Sequence, residues 1–111
     1  MLATYCLLNL VNNVKIMLKG SLMRAVLCTE FGPPEKLVMR DIPVPKPSKQ
    51  QVRIKIEACG VNFPDTLIIE NKYQYKPDLP FSPGGEVAGI IDELGDEVTN
   101  YSVGEKVMAM T

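Results

Sequence analysis

The sequence predicts a mainly β fold, and three observations carry that prediction. Nine prolines and eight glycines lie scattered between short apolar runs, a punctuation that suits strands and turns better than a helical bundle. Val52, Ile54, Ile56 and Ala58 alternate with Arg53, Lys55 and Glu57, the period-2 pattern of a strand with one wet face. Pro83-Gly84-Gly85 followed by Val87, Ile90 and Ile91 reads as a turn opening onto a second strand, because Pro83 fixes φ, the glycines are free to take positive φ and the branched residues suit a pleat.

Composition sets the limits on function. At 111 residues the chain holds at most one domain. A hydrophobic content of 46% with 23% charged residues is ordinary for a globular chain. The net charge of −1 offers no field for nucleic acid or a membrane surface, so neither is expected as a partner. No apolar run approaches the roughly eighteen residues of a membrane span. Histidine is absent, which removes Ser-His and Cys-His catalysis and every metal site that needs imidazole. The three cysteines, Cys6, Cys28 and Cys59, are far apart with no C-x-x-C pair. That spacing argues against a disulfide framework or structural zinc and suits a reducing compartment, with the cytoplasm as the expected location. Chemistry must therefore come from a cofactor or another segment.

Residues 1–22 differ in texture from the rest. They carry two lysines and no acid, whereas residues 23–111 carry ten basic and thirteen acidic residues. Asn9, Asn12 and Asn13 interrupt the apolar positions, and a secretory signal would need a basic start and a clean apolar core. The preferred reading is a non-native extension, with the domain running from Met23 to Thr111. A mitochondrial leader is the competing reading, favoured by the lack of acid and opposed by the lack of arginine.

From Met23 the elements follow in order. Arg24–Thr29 reads as a first strand, Phe31-Gly32-Pro33-Pro34 as a turn and Leu37–Ile42 as a second strand. Pro43, Pro45 and Pro47 force an extended connection, since prolines cannot donate to a ladder. The alternating strand from Val52 ends at Cys59-Gly60-Val61-Asn62-Phe63-Pro64-Asp65. Pro64 near a helix start, Asp65 in the first turn and Leu67-Ile68-Ile69 behind them predict a short helix. A loop with Tyr73, Tyr75, Pro77 and Pro80 leads to the Gly84-Gly85 turn, where one charge, Glu86, stands at the start of the next strand. Val103-Gly104-Glu105-Lys106 is a further turn, and Val107–Met110 begins an apolar strand. An apolar strand is a poor place for a domain to finish, so the expectation is a truncated domain with an unpaired edge. No G-x-G-x-x-G or G-x-x-x-x-G-K-[ST] loop is present.

Three blocks in order carry a resemblance: Met23-Arg24-Ala25-Val26 with Phe31-Gly32-Pro33-Pro34-Glu35, Ala58-Cys59-Gly60-Val61-Asn62-Phe63-Pro64-Asp65, and Leu79-Pro80-Phe81-Ser82-Pro83-Gly84-Gly85-Glu86-Val87-Ala88-Gly89. With Val103-Gly104-Glu105-Lys106-Val107, they make residues 23–111 resemble the N-terminal part of the medium-chain dehydrogenase/reductases, in the zinc-independent quinone oxidoreductase branch. The resemblance implies a GroES-like, partly open β-barrel with short helices, here incomplete. In complete members a Rossmann domain follows, carries the nicotinamide cofactor and allows a homodimer.

The resemblance also implies a chemistry. In zinc-dependent relatives a cysteine ligand follows the Gly-Val pair, where this sequence has Asn62, and a histidine ligand precedes the glutamate, where it has Gly85. An amide and a glycine cannot replace a thiolate and an imidazole around zinc. What remains is hydride delivery from NADPH to a quinone or enone, with the protein positioning the partners. Asn62, Asp65 and Tyr73 are the cofactor-side candidates, and no catalytic or metal-ligating side chain is expected. Each has a plainer reading: a helix cap for Asn62, a first-turn acid favourable to the helix dipole for Asp65 and loop packing for Tyr73. Glu86 reads as structural once zinc is gone, and Cys59 as a small strand-end residue, with nothing nearby in sequence to lower its pKa. An enoyl-thioester or alkenal reductase of the same superfamily is one alternative. A non-enzymatic GroES-like binding module is the other, although residues 70–80 lack the apolar loop such a module needs.

Overall fold

The computed structural model describes residues 21–111 and, for the backbone alone, residues 4–7. The other residues of the expected extension lie outside the described residues. Among those described, the order is β1 (Thr4–Leu7), β2 (Leu22–Leu27), a short 3-10 helix (Pro34–Lys36), β3 (Val38–Pro43), β4 (Val52–Gly60), α1 (Phe63–Ile69), β5 (Glu86–Leu94) and β6 (Lys106–Met110). Four strands form one antiparallel sheet in the order β1-β4-β5-β6, and β2 and β3 pair as a separate antiparallel ribbon. Neither sheet closes on itself among the described residues, which is the partly open, mainly β arrangement that the sequence predicts. β1 lies along the edge of β4, with Thr4 opposite Ile56 and Leu7 opposite Arg53.

Side-chain alternation builds the core. On β5, Val87, Gly89 and Ile91 are buried while Ala88, Ile90 and Asp92 between them are half-buried. Val52 and Ile54 of β4 meet Ile91 in a cluster flanked by Leu94, Val98, Val107 and Ala109. Ile54 and Ile91 are 2% and 1% exposed, so each side chain contributes about 1.5–3 kcal/mol relative to standing in water. The strands approach closely at Gly89, where an added Cβ would lie 2.1 Å from the Lys55 carbonyl oxygen.

The predicted alternation of β4 holds only in its first half. Val52 and Ile54 are buried and Ile56 is half-buried, but Ala58 is exposed. The register explains the difference. Ile56 faces Gly89 but Ala58 faces Ala88, so Glu57 is an extra residue on β4 and the following side chains exchange faces. A second irregularity, between Arg53 and Ile54, leaves Asp92 as the extra residue on β5.

The ribbon is tied to the rest through Cys28, which exchanges backbone hydrogen bonds with Phe81 at 2.8 and 3.2 Å. The Ser82 hydroxyl donates to the Val26 carbonyl at 2.8 Å, and the Phe31 and Phe81 rings lie 6.4 Å apart. The Gly32 amide donates to the carbonyl of Ile69 at 2.9 Å, joining the first turn to the end of α1. These contacts hold the loop before β5 in place and so fix where Glu86 enters the sheet.

Candidate functional site

The site is the junction where β4 ends, α1 begins and β5 starts. The displaced register puts Gly60 directly opposite Glu86 and Cys59 opposite Val87. Two residues beyond Gly60, Asn62 leaves the strand with an extended backbone, φ −120° and ψ 163°, and caps α1. Asp65 sits three residues on, and its carboxylate accepts the Asn62 backbone N–H at 2.8 Å. The arrangement has the form of a capping box, but the Asp65 backbone N–H bonds to the Asn62 backbone carbonyl at 3.0 Å and the Asn62 side chain makes no hydrogen bond to the helix. Asp65 is the first-turn acid of its plainer reading, and Asn62 takes the N-cap position without the side-chain bond to helix amides that its plainer reading calls for.

The amide of Asn62 has a second role in the geometry. Its Nδ2 donates to Glu86 Oε2 at 2.9 Å, across 24 residues of chain. Gly60 lies beneath the pair: a Cβ there would stand 3.3 Å from the Glu86 carboxyl and 3.4 Å from Asn62 Nδ2. Glycine at this position leaves the room in which the two side chains meet.

Cys59 completes the junction. Its residue is exposed, and burial of the thiol, helped by the negative charges of Asp65 and Glu86, pushes its pKa up. A raised thiol pKa keeps the sulfur protonated at neutral pH, the opposite of an activated nucleophile. The turn before β5 passes close by. Gly84 has φ +112°, and an added Cβ would fall 2.7 Å from the Cys59 sulfur, so both conformation and space require glycine there. Thr111 steadies this turn by donating its backbone N–H to Gly85 at 2.8 Å.

The junction therefore gathers Asn62, Asp65, Glu86 and Cys59, and it leaves out Tyr73. Tyr73 is half-buried in the loop after α1 and makes no hydrogen bond to Asn62, Asp65 or Glu86. The contact of Glu86 with Asn62 is the feature that sequence reasoning missed. The only signal was a lone charge at the point where turn becomes strand. Beside the pair runs an open groove of about 130 Å³, lined by Ala58, Gly60, Glu86, Val87, Ala88 and Met108. A second open groove of about 280 Å³, lined by Glu57, Ala88, Gly89, Lys106, Val107 and Met108, shares Ala88 and Met108 with it. Among the described residues, no three Cys, Asp or Glu side chains gather to hold a metal ion.

Residues 48–111 match the family of alcohol dehydrogenase GroES-like domains. The chain belongs to that family. This GroES-like chain is 48% identical to the mouse quinone oxidoreductase over 87 residues, which cover 78% of the chain and 26% of that protein. It superposes on the quinone oxidoreductase of Coxiella burnetii with a TM-score of 0.75 at 33% identity, covering 81% of the chain and 30% of that structure. A mycobacterial protein complexed with NADPH gives a TM-score of 0.73 at 39% identity, with 80% and 28% covered. The GroES-like chain thus spans about a quarter of the length of the curated relatives it matches. These relatives agree with the quinone oxidoreductase resemblance read from the three sequence blocks.

Proposed function

We propose that this chain is the substrate-side domain of a zinc-free, NADPH-dependent reductase of quinones or conjugated carbonyls. The observation that carries the proposal is the Asn62 amide, held at 2.9 Å by Glu86 at the open end of the β4–β5 pair. It occupies the place where zinc-dependent relatives carry a thiolate. Neutral amide donors and acceptors suit the carboxamide and hydroxyls of a nicotinamide nucleotide, and they do not suit zinc. The mycobacterial relative complexed with NADPH and the quinone oxidoreductases support the cofactor and substrate class.

When bound, NADPH supplies the hydride. The residues of this chain supply position: Asn62 meets the nicotinamide end of the cofactor, and Asp65 fixes the backbone from which Asn62 projects. By resemblance Tyr73 is a further cofactor-side residue, on the loop after α1 and outside the junction of Asn62, Asp65 and Glu86. The proton that completes the reduction comes from water, and the part of these residues is alignment of the two partners.

The experiment replaces the matching segment of the mouse quinone oxidoreductase with residues 23–111. The chimera is expected to oxidise NADPH in the presence of a quinone, faster than it oxidises NADH. The 111-residue chain alone is expected to show no turnover, because it spans only about a quarter of the length of the relatives that carry the activity. A correctly folded chimera that leaves quinones untouched would overturn the proposal, and reduction of enoyl thioesters in preference to quinones would reassign the substrate.

A further inference from the structure

We infer that Glu86 is a positioning residue that sets which way the Asn62 amide faces. Three independent features of the junction point to it. The Glu86 carboxylate accepts from Asn62 Nδ2 at 2.9 Å. A carboxylate accepts only, so it selects the NH2 end of the amide and turns the carbonyl oxygen away. The register places Gly60 directly opposite Glu86, so the acid is anchored in the sheet on one side, while the Asn62 backbone is anchored on the other by the Asp65 carboxylate, which accepts its N–H at 2.8 Å. Gly60 keeps the space between them clear, with an added Cβ only 3.3 Å from the Glu86 carboxyl and 3.4 Å from Asn62 Nδ2.

The consequence is a fixed polarity. One N–H of the amide is committed to Glu86 and the other remains to donate to a ligand. An unanchored asparagine rotates between donor and acceptor faces and binds a carbonyl less well, because it must be ordered on binding. Glu86 removes that freedom in advance. The inference rests on the reading of Asn62 as a cofactor contact, and it names the ligand group at that contact: an acceptor oxygen, such as a carboxamide carbonyl.

Two measurements separate the inference from the reading beneath it. The first observes the Asn62 side-chain NH2 of the 111-residue chain by NMR. In the wild type the proton bonded to Glu86 is expected to lie downfield of its position in a free asparagine amide, and Glu86→Ala is expected to return it there. Glu86→Gln, whose carbonyl also accepts, restores the downfield shift in part, and Gly60→Ala disturbs it without touching either polar group. An unchanged Asn62 pair in Glu86→Ala, with β5 backbone amides still dispersed as in the wild type, would overturn the inference.

The second uses the chimera with the mouse enzyme. Glu86→Ala is expected to raise the KM for NADPH about fivefold to tenfold, the range for losing one good hydrogen bond, with a smaller change in kcat. Glu86→Gln recovers most of that loss. In an Asn62→Ala background, Glu86→Ala adds nothing further. Full additivity of the two substitutions would show that Glu86 acts on the fold and not through Asn62, and would sink the inference. If Asn62→Ala alone leaves the KM for NADPH unchanged, the cofactor reading of Asn62 fails, while the NMR result still decides the orientation of the amide.

Discussion

At one end of the β4–β5 pair, Arg53 forks onto Asp92 at 2.8 and 3.1 Å, reaches the Pro45 carbonyl at 3.1 Å and pairs with Glu93. The neighbouring Val52, Ile54 and Ile91 are buried. At the other end, Asn62 and Glu86 meet over a glycine, both exposed. Each end carries a register irregularity, and each irregularity redirects a side chain. At the first it leaves Asp92 as the extra residue beside Arg53, where a charge pair closes over the strand. At the second it turns Ala58 outward and sets Gly60 opposite Glu86, where a polar pair is left open. The same device closes a charge pair at one end and leaves a polar pair open at the other, and the difference lies in what surrounds it: apolar neighbours at the closed end and a glycine floor at the open one.

The sharpest way to break this contrast is to empty the closed end. Ile54→Ala is expected to cost about 2–5 kcal/mol, the transfer loss of the side chain together with the cavity it leaves. The check is chemical denaturation followed by circular dichroism. A loss under about 1 kcal/mol would place the stabilising core elsewhere. Arg53→Met comes next. The guanidinium and its Asp92 partner are 15% and 23% exposed, so removing one member leaves a half-buried carboxylate without its fork. The expected cost is about 1–2 kcal/mol, discounted for the remaining solvent contact. Because the pair is partly shielded, that cost is expected to persist when salt is raised.

The open end answers differently. Asn62→Ala replaces the N-cap residue of a seven-residue helix, whose side chain bonds to Glu86 and not to the helix amides, and is expected to cost no more than about 1 kcal/mol of stability. In the chimera with the mouse enzyme, the same substitution is expected to weaken NADPH binding far beyond what that small loss of stability explains. A comparable loss of stability and binding would make Asn62 a cap and nothing more.

How much of this was legible in the chain differs between the same two ends. Strand positions were readable because the pleat and the turn residues are local: Val52, Ile54, Pro83 and Gly84 announce themselves. The short helix was readable from Pro64 and Asp65 for the same reason. The outward turn of Ala58 was not, since the pattern Val-x-Ile-x-Ile-x-Ala continues without a break and the displacement depends on how β5 pairs with it. The Asn62–Glu86 contact was hidden for a similar reason: it joins residues 24 apart through a register that no local pattern encodes. Family resemblance brought Asn62 forward as a site residue but gave Glu86 no partner, because the zinc that explains this acid elsewhere does not suit the donors present here.

The smallest expected effect concerns the two described thiols, which divide between a buried setting and the open junction. Cys28 is 1% exposed, and burial pushes its pKa up. Cys59 is pushed up by burial and by the charges of Asp65 and Glu86. A raised pKa means that the folded chain keeps these protons to higher pH than the unfolded chain does. Their contribution to stability is therefore complete below the unfolded thiol's range, about 8.5–9, and is lost as pH climbs through the folded values. Melting temperature is expected to decline above about pH 9, with part of the slope removed in Cys28→Ala. In a Cys6→Ser background, iodoacetamide is expected to label Cys59 slowly at neutral pH and Cys28 only on unfolding. Glu86→Gln removes one of the charges that raise Cys59 and should speed its labelling, while Cys28 stays silent. If the Cys59 rate does not respond to Glu86→Gln, the carboxylate does not act on the thiol, and the junction is less tightly gathered than its hydrogen bonds imply.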